Sequence, residues 1–142
     1  MRIVICGSST FKEKMLEYRD KLKKLGHEPI VHPDYEDFVK GKKKEIWSQV
    51  MSGEHYKAKR SQGYIKWYYN EILNSDGVLI LNFDKNGIKN YIGGNTLMEI
   101  AFAYVNDKNI FLLNEIPEEV SYVDEIKAMV DNIINDDLSK II

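Results

Sequence analysis

Three short stretches of this sequence hold residue types that could do chemistry. The first is Gly7-Ser8-Ser9-Thr10, a turn of small residues between an apolar run and a helical pattern. Such a turn leaves backbone N–H groups free beside the positive end of a helix dipole, which suits a phosphate. The same residues also read as a helix start, with Thr10 as cap and Glu13 as its reciprocal partner. The second stretch is Gly93-Gly94-Asn95-Thr96-Leu97-Met98-Glu99. Paired glycines before a helix let the backbone approach a ligand closely, and Glu99 would offer a carboxylate from the first helical turn. Thr96 and Glu99 also have the spacing of a capping box, so the two readings compete. The third is a pair of aspartates flanking one apolar run, Asp76 at its amino end and Asp84 at its carboxyl end. Asn74-Ser75-Asp76-Gly77 and Asp84-Lys85-Asn86-Gly87 equally suit ordinary polar turns.

Other reactive residue types are thinly spread. Cys6 closes an apolar run and reads as core, since no histidine is placed by motif to activate it. His27, His32 and His55 have neither metal-ligand spacing nor a triad pattern, so no metal or other cofactor is expected. One cysteine cannot build a disulfide framework. The 142 residues amount to one domain, and 44% hydrophobic content is enough for a real core. A net charge of −2 gives no reason to expect a general nucleic-acid or membrane binder. No apolar run approaches the ~18 residues of a membrane span. Met1 leads straight into Arg2-Ile3-Val4-Ile5 without a signal-peptide pattern, so a cytoplasmic location is expected.

The elements that must position these residues alternate. Ile3 to Cys6 and Val78 to Phe83 are continuous apolar runs, as strands buried on both faces should be. Between them, Phe11, Met15, Tyr18, Leu22 and Leu25 mark one helical face, ended by Gly26. Glu28 to His32 reads as a second strand stopped by Pro33, and Ile110 to Leu113 as a fourth. Thr96 to Asn106 and Val123 to Ile134 read as helices. Strands separated by helices predict right-handed crossovers and a parallel sheet of four to five strands with helices on both faces. The expected fold is thus an α/β, flavodoxin- or Rossmann-like three-layer domain. A fifth strand would need the tail near Ile141 to pair. Ligands in such sheets bind beyond the carboxyl ends of the strands, where the strand order reverses. That gathers Gly7 to Thr10, the loop after Phe83 and the segment after Leu113 around one crevice, and leaves Asp76 at the far end.

Residues 34–74 exceed an ordinary crossover and predict a helical insert. Residues 40–66 hold eight basic side chains against two acidic ones, so this segment carries +6 and the rest −8. Trp47, Tyr56, Tyr64, Trp67, Tyr68 and Tyr69 are interleaved with the lysines. Two helices are expected, near Lys44 to Tyr56 and Gly63 to Leu73. So many large rings on one exposed helix pair would leave a patch that soluble monomers rarely carry. They should therefore bury against the domain or a second copy, and a homo-oligomer is expected. Single-stranded nucleic acid stacking on the rings is the less favoured alternative.

In order along the chain stand a strand ending in Cys6-Gly7-Ser8, the segment "KLGHEPIVHPD", and Ser75-Asp76 before a strand. A Gly93-Gly94 loop, "NTLMEIAFAY" and a strand ending at Asn114 follow. Over residues 1–33 and 71–117 this order resembles the nucleoside 2-deoxyribosyltransferase-like superfamily, which includes the deoxynucleoside 5′-monophosphate N-glycosidases. The resemblance implies a flavodoxin-like, usually oligomeric domain of 1–142. Its activity would be to cleave or exchange the N-glycosidic bond of a 2′-deoxynucleoside or its 5′-monophosphate. It implies Glu99 as the nucleophile at the anomeric carbon and Asp76 or Asp84 as a second active-site carboxylate. Gly7, Ser8 and Ser9 would then lie beside the sugar or phosphate. Leu97 stands where the family commonly has glycine, so Asn95, after Gly93 and Gly94, would supply the hydrogen bond to the ligand. The same loop is similar to that of the nucleotide phosphoribohydrolases of the lysine-decarboxylase-like group, without their proline and third glycine. A non-catalytic nucleotide sensor on this fold is the rival reading.

Overall fold

The computed structural model describes all 142 residues. Its frame follows from three apolar runs: β1 (Arg2–Gly7), β3 (Gly77–Leu81) and β4 (Asn109–Leu112). Every residue of β3 is buried, as are Ile3 to Gly7 of β1, so neither strand shows polar alternation. With β2 (Glu28–Ile30) and β5 (Asn132–Ile133) they form one sheet, all parallel, in the order β2-β1-β3-β4-β5. The chain runs outward from β1 to β2, then returns to place β3 on the other side of β1. The switch point therefore lies between the carboxyl ends of β1 and β3, where Gly7 pairs with Leu81. A Cβ on Gly7 would stand 2.9 Å from the Leu81 carbonyl oxygen, so only glycine fits that register.

Helix α1 (Lys12–Lys24) packs on β1 and β2 through Met15, Tyr18 and Leu22. Helix α6 (Gly94–Val105) packs on β1, β3 and β4, with α5 (Tyr64–Leu73) and α7 (Val123–Met129) beside it. This is the expected α/β, flavodoxin-like arrangement. Beyond β3 and β4 an asparagine clasp locks the strand ends. Buried Asn82 accepts from the Asn114 backbone N–H at 2.9 Å and donates to the carbonyls of Asn114 and Glu115. No helix is long and apolar enough to cross a membrane.

Five local expectations are corrected. The fifth strand is not the tail near Ile141 but Asn132–Ile133, paired with Phe111 and Leu112. The last helix accordingly ends at Met129 rather than Ile134, because Val130 adopts extended backbone. Pro33 opens a helix instead of only stopping a strand, since it sits at the first turn of α2 (Pro33–Val39), where its missing N–H is harmless. The insert then holds α3 (Lys44–Val50), α4 (Tyr56–Gln62) and α5, four helices with α2 rather than two, the last pair broken at left-handed Gly63. At the first turn Ser8, not Thr10, is the cap, and the Thr10–Glu13 box is not formed.

Of the insert's rings Tyr68 is buried and Trp47, Tyr64 and Trp67 are half-buried, while Tyr56 and Tyr69 stay exposed. Trp47 packs on Phe38 at 5.1 Å between centroids, under the Lys12 ammonium at 3.8 Å. Trp67 meets His32 at 4.5 Å and Tyr68 at 4.9 Å, while Tyr69 packs edge-on against Phe102. This packing requires no second copy.

Candidate active site

A cavity of about 610 Å³ opens at the switch point. Its near wall is the turn after β1, Gly7 to Thr10; its far wall is the loop before α6, Gly93 to Thr96. The insert closes it through Asp34 and Tyr35 of α2, Lys59 of α4, and Tyr64 and Tyr68 of α5. Five of the substrate-binding candidates, Gly7, Ser8, Ser9, Gly93 and Gly94, are thus brought to one place together with the sixth, Asn95.

Local structure holds the two turns in position. Ser8 caps the 3-10 turn Ser9–Phe11, and its Oγ lies 2.9 Å from Thr10 Oγ1 and accepts from Lys85 Nζ at 2.9 Å. Burial pushes the Lys85 ammonium below the ordinary lysine value. The glycine loop is fixed by the Tyr91 N–H donating to the Phe83 carbonyl and by the Tyr122 hydroxyl donating to the Ile92 carbonyl. Helix α6 begins at Gly94, two residues before Thr96, and its first turn holds no acidic residue. That removes the Thr96 capping box. Glu99 falls in the second turn instead of the first, one helical step behind Asn95.

Glu99 is 3% exposed and stands in the floor behind the lining residues. Its Oε1 accepts from Asn95 Nδ2 at 3.2 Å, while Oε2 is buried with no partner. Burial raises the carboxyl to about 8; the neighbouring Cys6 thiol and the Lys59 ammonium offset only part of that. The thiol adjoins Glu99 without hydrogen-bond geometry to Oε2, and burial pushes Cys6 itself well up, so it is a core thiol. Lys59 is partly desolvated, which lowers it, and the Glu99 charge acts in the opposite sense.

The two aspartates are not brought to the cavity. Asp76 lies at the amino end of β3, where it is exposed and accepts from the Arg2 N–H at 2.7 Å. Asp84 is exposed and accepts from the Asn90 N–H at 2.9 Å, closing the loop after β3. Both do turn work. The cavity's own aspartate is Asp34, which the sequence did not single out. Its carboxylate, 6% exposed, accepts from Lys43 Nζ at 2.5 Å and from the Tyr64 hydroxyl at 2.7 Å. Burial alone would raise it, but these two bonds, with the His32 and Lys43 charges, hold it below the usual carboxylate range. His32, whose ring accepts from the Asp34 N–H, is lowered chiefly by burial.

Two tyrosines complete the floor. The Tyr35 hydroxyl is 3.1 Å from Ser9 Oγ. The Tyr68 hydroxyl adjoins that of Tyr35 without hydrogen-bond geometry and is buried with no partner. Nothing in the local sequence marks Asp34, Lys59 or Tyr68; only the placement of the insert over the switch point brings them in.

No protein-family model matches the sequence, and no curated protein does. Among solved structures, the chain is similar to the CMP N-glycosidase BcmB of Clostridium botulinum. The TM-score is 0.50 and the identity 16%, over 94% of this chain and 84% of that one. At that identity the likeness speaks for a shared fold: this chain is an α/β domain of the architecture on which that glycosidase is built.

Proposed function

We propose that this protein cleaves the N-glycosidic bond of a nucleoside 5′-monophosphate, with the Glu99 carboxylate attacking C1′. One observation carries the reading. Glu99 Oε2 is a buried, unpartnered carboxylate oxygen just behind the lining of the switch-point cavity, and an oxygen left so costs stability unless a ligand uses it. Departure of the base, which takes its proton from solvent, gives oxocarbenium character at C1′. The ionised form of Glu99, a minor fraction at neutral pH because the carboxyl is raised to about 8, stabilises it and can trap it covalently. Water or a second base then resolves the ester, giving hydrolysis or transfer. Asn95 holds the attacking group through Oε1, leaving Oε2 free to react.

The phosphate belongs on the Ser8 side. Lys85 reaches Ser8 Oγ and forms no ion pair with any acid, and the N-terminus of the twelve-residue α6 offers N–H groups free of acidic competition. Asp34, already bound by Lys43 and Tyr64, is poorly suited to protonating the leaving base. The resemblance to family oligomers makes homo-oligomer assembly part of this proposal, with Tyr104 and Val105 of α6 among the exposed apolar side chains. A second reading, a nucleotide sensor without turnover, draws on Glu99 standing behind Asn95 and holding its proton at neutral pH.

Incubating the protein with each nucleoside and its 5′-monophosphate, and resolving free base by chromatography, decides between the readings. Base released faster from a monophosphate than from its nucleoside is the expected result. Tight nucleotide binding with no base released at any pH would establish the sensor.

A further inference from the structure

The floor of the cavity holds two buried polar atoms without partners, and the cleavage mechanism uses one of them. Glu99 Oε2 is the attacking oxygen; the other is the Tyr68 hydroxyl, on a residue 5% exposed that lines the cavity from α5. Its neighbours do not satisfy it. Tyr35 is engaged with Ser9, and the Asn95 amide serves Glu99 Oε1. A buried hydroxyl left unpaired costs stability, and a protein that keeps one beside a reactive carboxylate has a ligand group to meet it.

The chemistry of the sugar says which group that is. In a β-nucleotide the base leaves from one face of the ring, so an attacking carboxylate must approach C1′ from the opposite face. The 2′-hydroxyl of a ribonucleotide lies on that opposite face, on the carbon bonded to C1′. A hydroxyl placed beside the attacking carboxylate therefore meets the 2′-oxygen. We infer that Tyr68 reads the 2′-hydroxyl of the sugar, so that the site selects ribonucleotides rather than the 2′-deoxynucleotides implied by the family resemblance. The inference rests on the cleavage reading for its placement of the sugar. A deoxynucleotide would leave the Tyr68 hydroxyl sealed and unpaired, and sites built to bind a substrate hydroxyl reject the analogue lacking it strongly.

The test compares wild type with Tyr68→Phe on the four common ribonucleoside 5′-monophosphates and their 2′-deoxy counterparts. Both kcat/KM and the dissociation constant by calorimetry are read. Wild type should favour the ribonucleotide at least ~10-fold, and the ribo-to-deoxy ratio should fall at least ~10-fold in Tyr68→Phe. The variant's thermal midpoint should hold or rise, because an unpartnered hydroxyl is removed. An unchanged ratio, even with a large loss on both sugars, would overturn the assignment, as would a midpoint lowered by several degrees. If base is released but the ratio does not move, this inference fails and cleavage stands. If ribonucleotide binds preferentially, the preference is lost in Tyr68→Phe and no base is released, cleavage fails and the sugar contact stands. If no nucleotide binds or reacts, both fall.

Discussion

Asp34 on α2 lines the cavity and Glu99 on α6 lies behind its lining, and the two are buried alike, 6% and 3% exposed, yet their surroundings treat them in opposite ways. Asp34 has a cation on one oxygen and a hydroxyl on the other, and it is held ionised. Glu99 has one neutral amide on one oxygen and nothing on the other, and it is held protonated at neutral pH. Burial is common to both, so the partners decide the role. A fully bonded carboxylate ties the helices of the insert to one another, whereas a half-bonded one leaves an oxygen that the proposed reaction can use.

The contrast is broken most severely by Glu99→Gln. On the proposed mechanism the variant keeps an oxygen for Asn95 and loses the nucleophile, so turnover should fall at least ~10³-fold with the fold intact. A variant that releases base at the wild-type rate would remove Glu99 from the mechanism. The same pair of proteins carries a pH test. Glu99 is raised above its unfolded value, so the folded state binds the extra proton between about 4.5 and about 8. Wild-type stability from this group is therefore full below pH 4.5 and is lost as pH rises through 8. Thermal midpoints of Glu99→Gln should gain on wild type steadily from pH 5 to pH 8.5; parallel curves would show that Glu99 is not the protonated group. Asp34 should show the opposite sign. Its carboxyl is depressed, so its contribution is present above pH ~4 and lost as pH falls through its folded value.

A smaller effect is expected at Asp34 itself. Asp34→Asn loses the charge that Lys43 and Tyr64 address, which should cost about 1–3 kcal/mol in urea unfolding at pH 7. Lys43 is 42% exposed and stays hydrated after the change, which keeps the cost in that range. A midpoint equal to wild type would erase the distinction between an anchoring and a reacting carboxylate.

The frame that carries both groups was largely legible. β1, β3 and β4 are continuous apolar runs buried on both faces, and glycine pairs and small-residue turns sit at their carboxyl ends. Glu99 could be singled out because Gly93 and Gly94 precede it. Its true setting could not, because α6 starts two residues early and only the backbone reveals that. β5 escaped notice because two residues show no period. Asp76 and Asp84 have the right chemistry on the wrong ends and loops. Asp34, Lys59 and Tyr68 come from three helices of the insert, and no local spacing encodes how those helices settle over the sheet. The basic, aromatic segment thus supplies much of the cavity wall and also packs Trp47, Trp67 and Tyr68 inward.

The central claim is that Glu99 forms a bond to C1′. A 2′-fluoro-2′-deoxynucleoside 5′-monophosphate slows both formation and breakdown of a glycosyl-enzyme by destabilising the oxocarbenium character, so the covalent species should accumulate. Intact-protein mass spectrometry should then show one added deoxyfluororibosyl phosphate with loss of the base, mapping after digestion to Glu99 and absent from Glu99→Gln. Base released from the natural nucleotide with no adduct on any residue, or an adduct on a different side chain, would contradict the account.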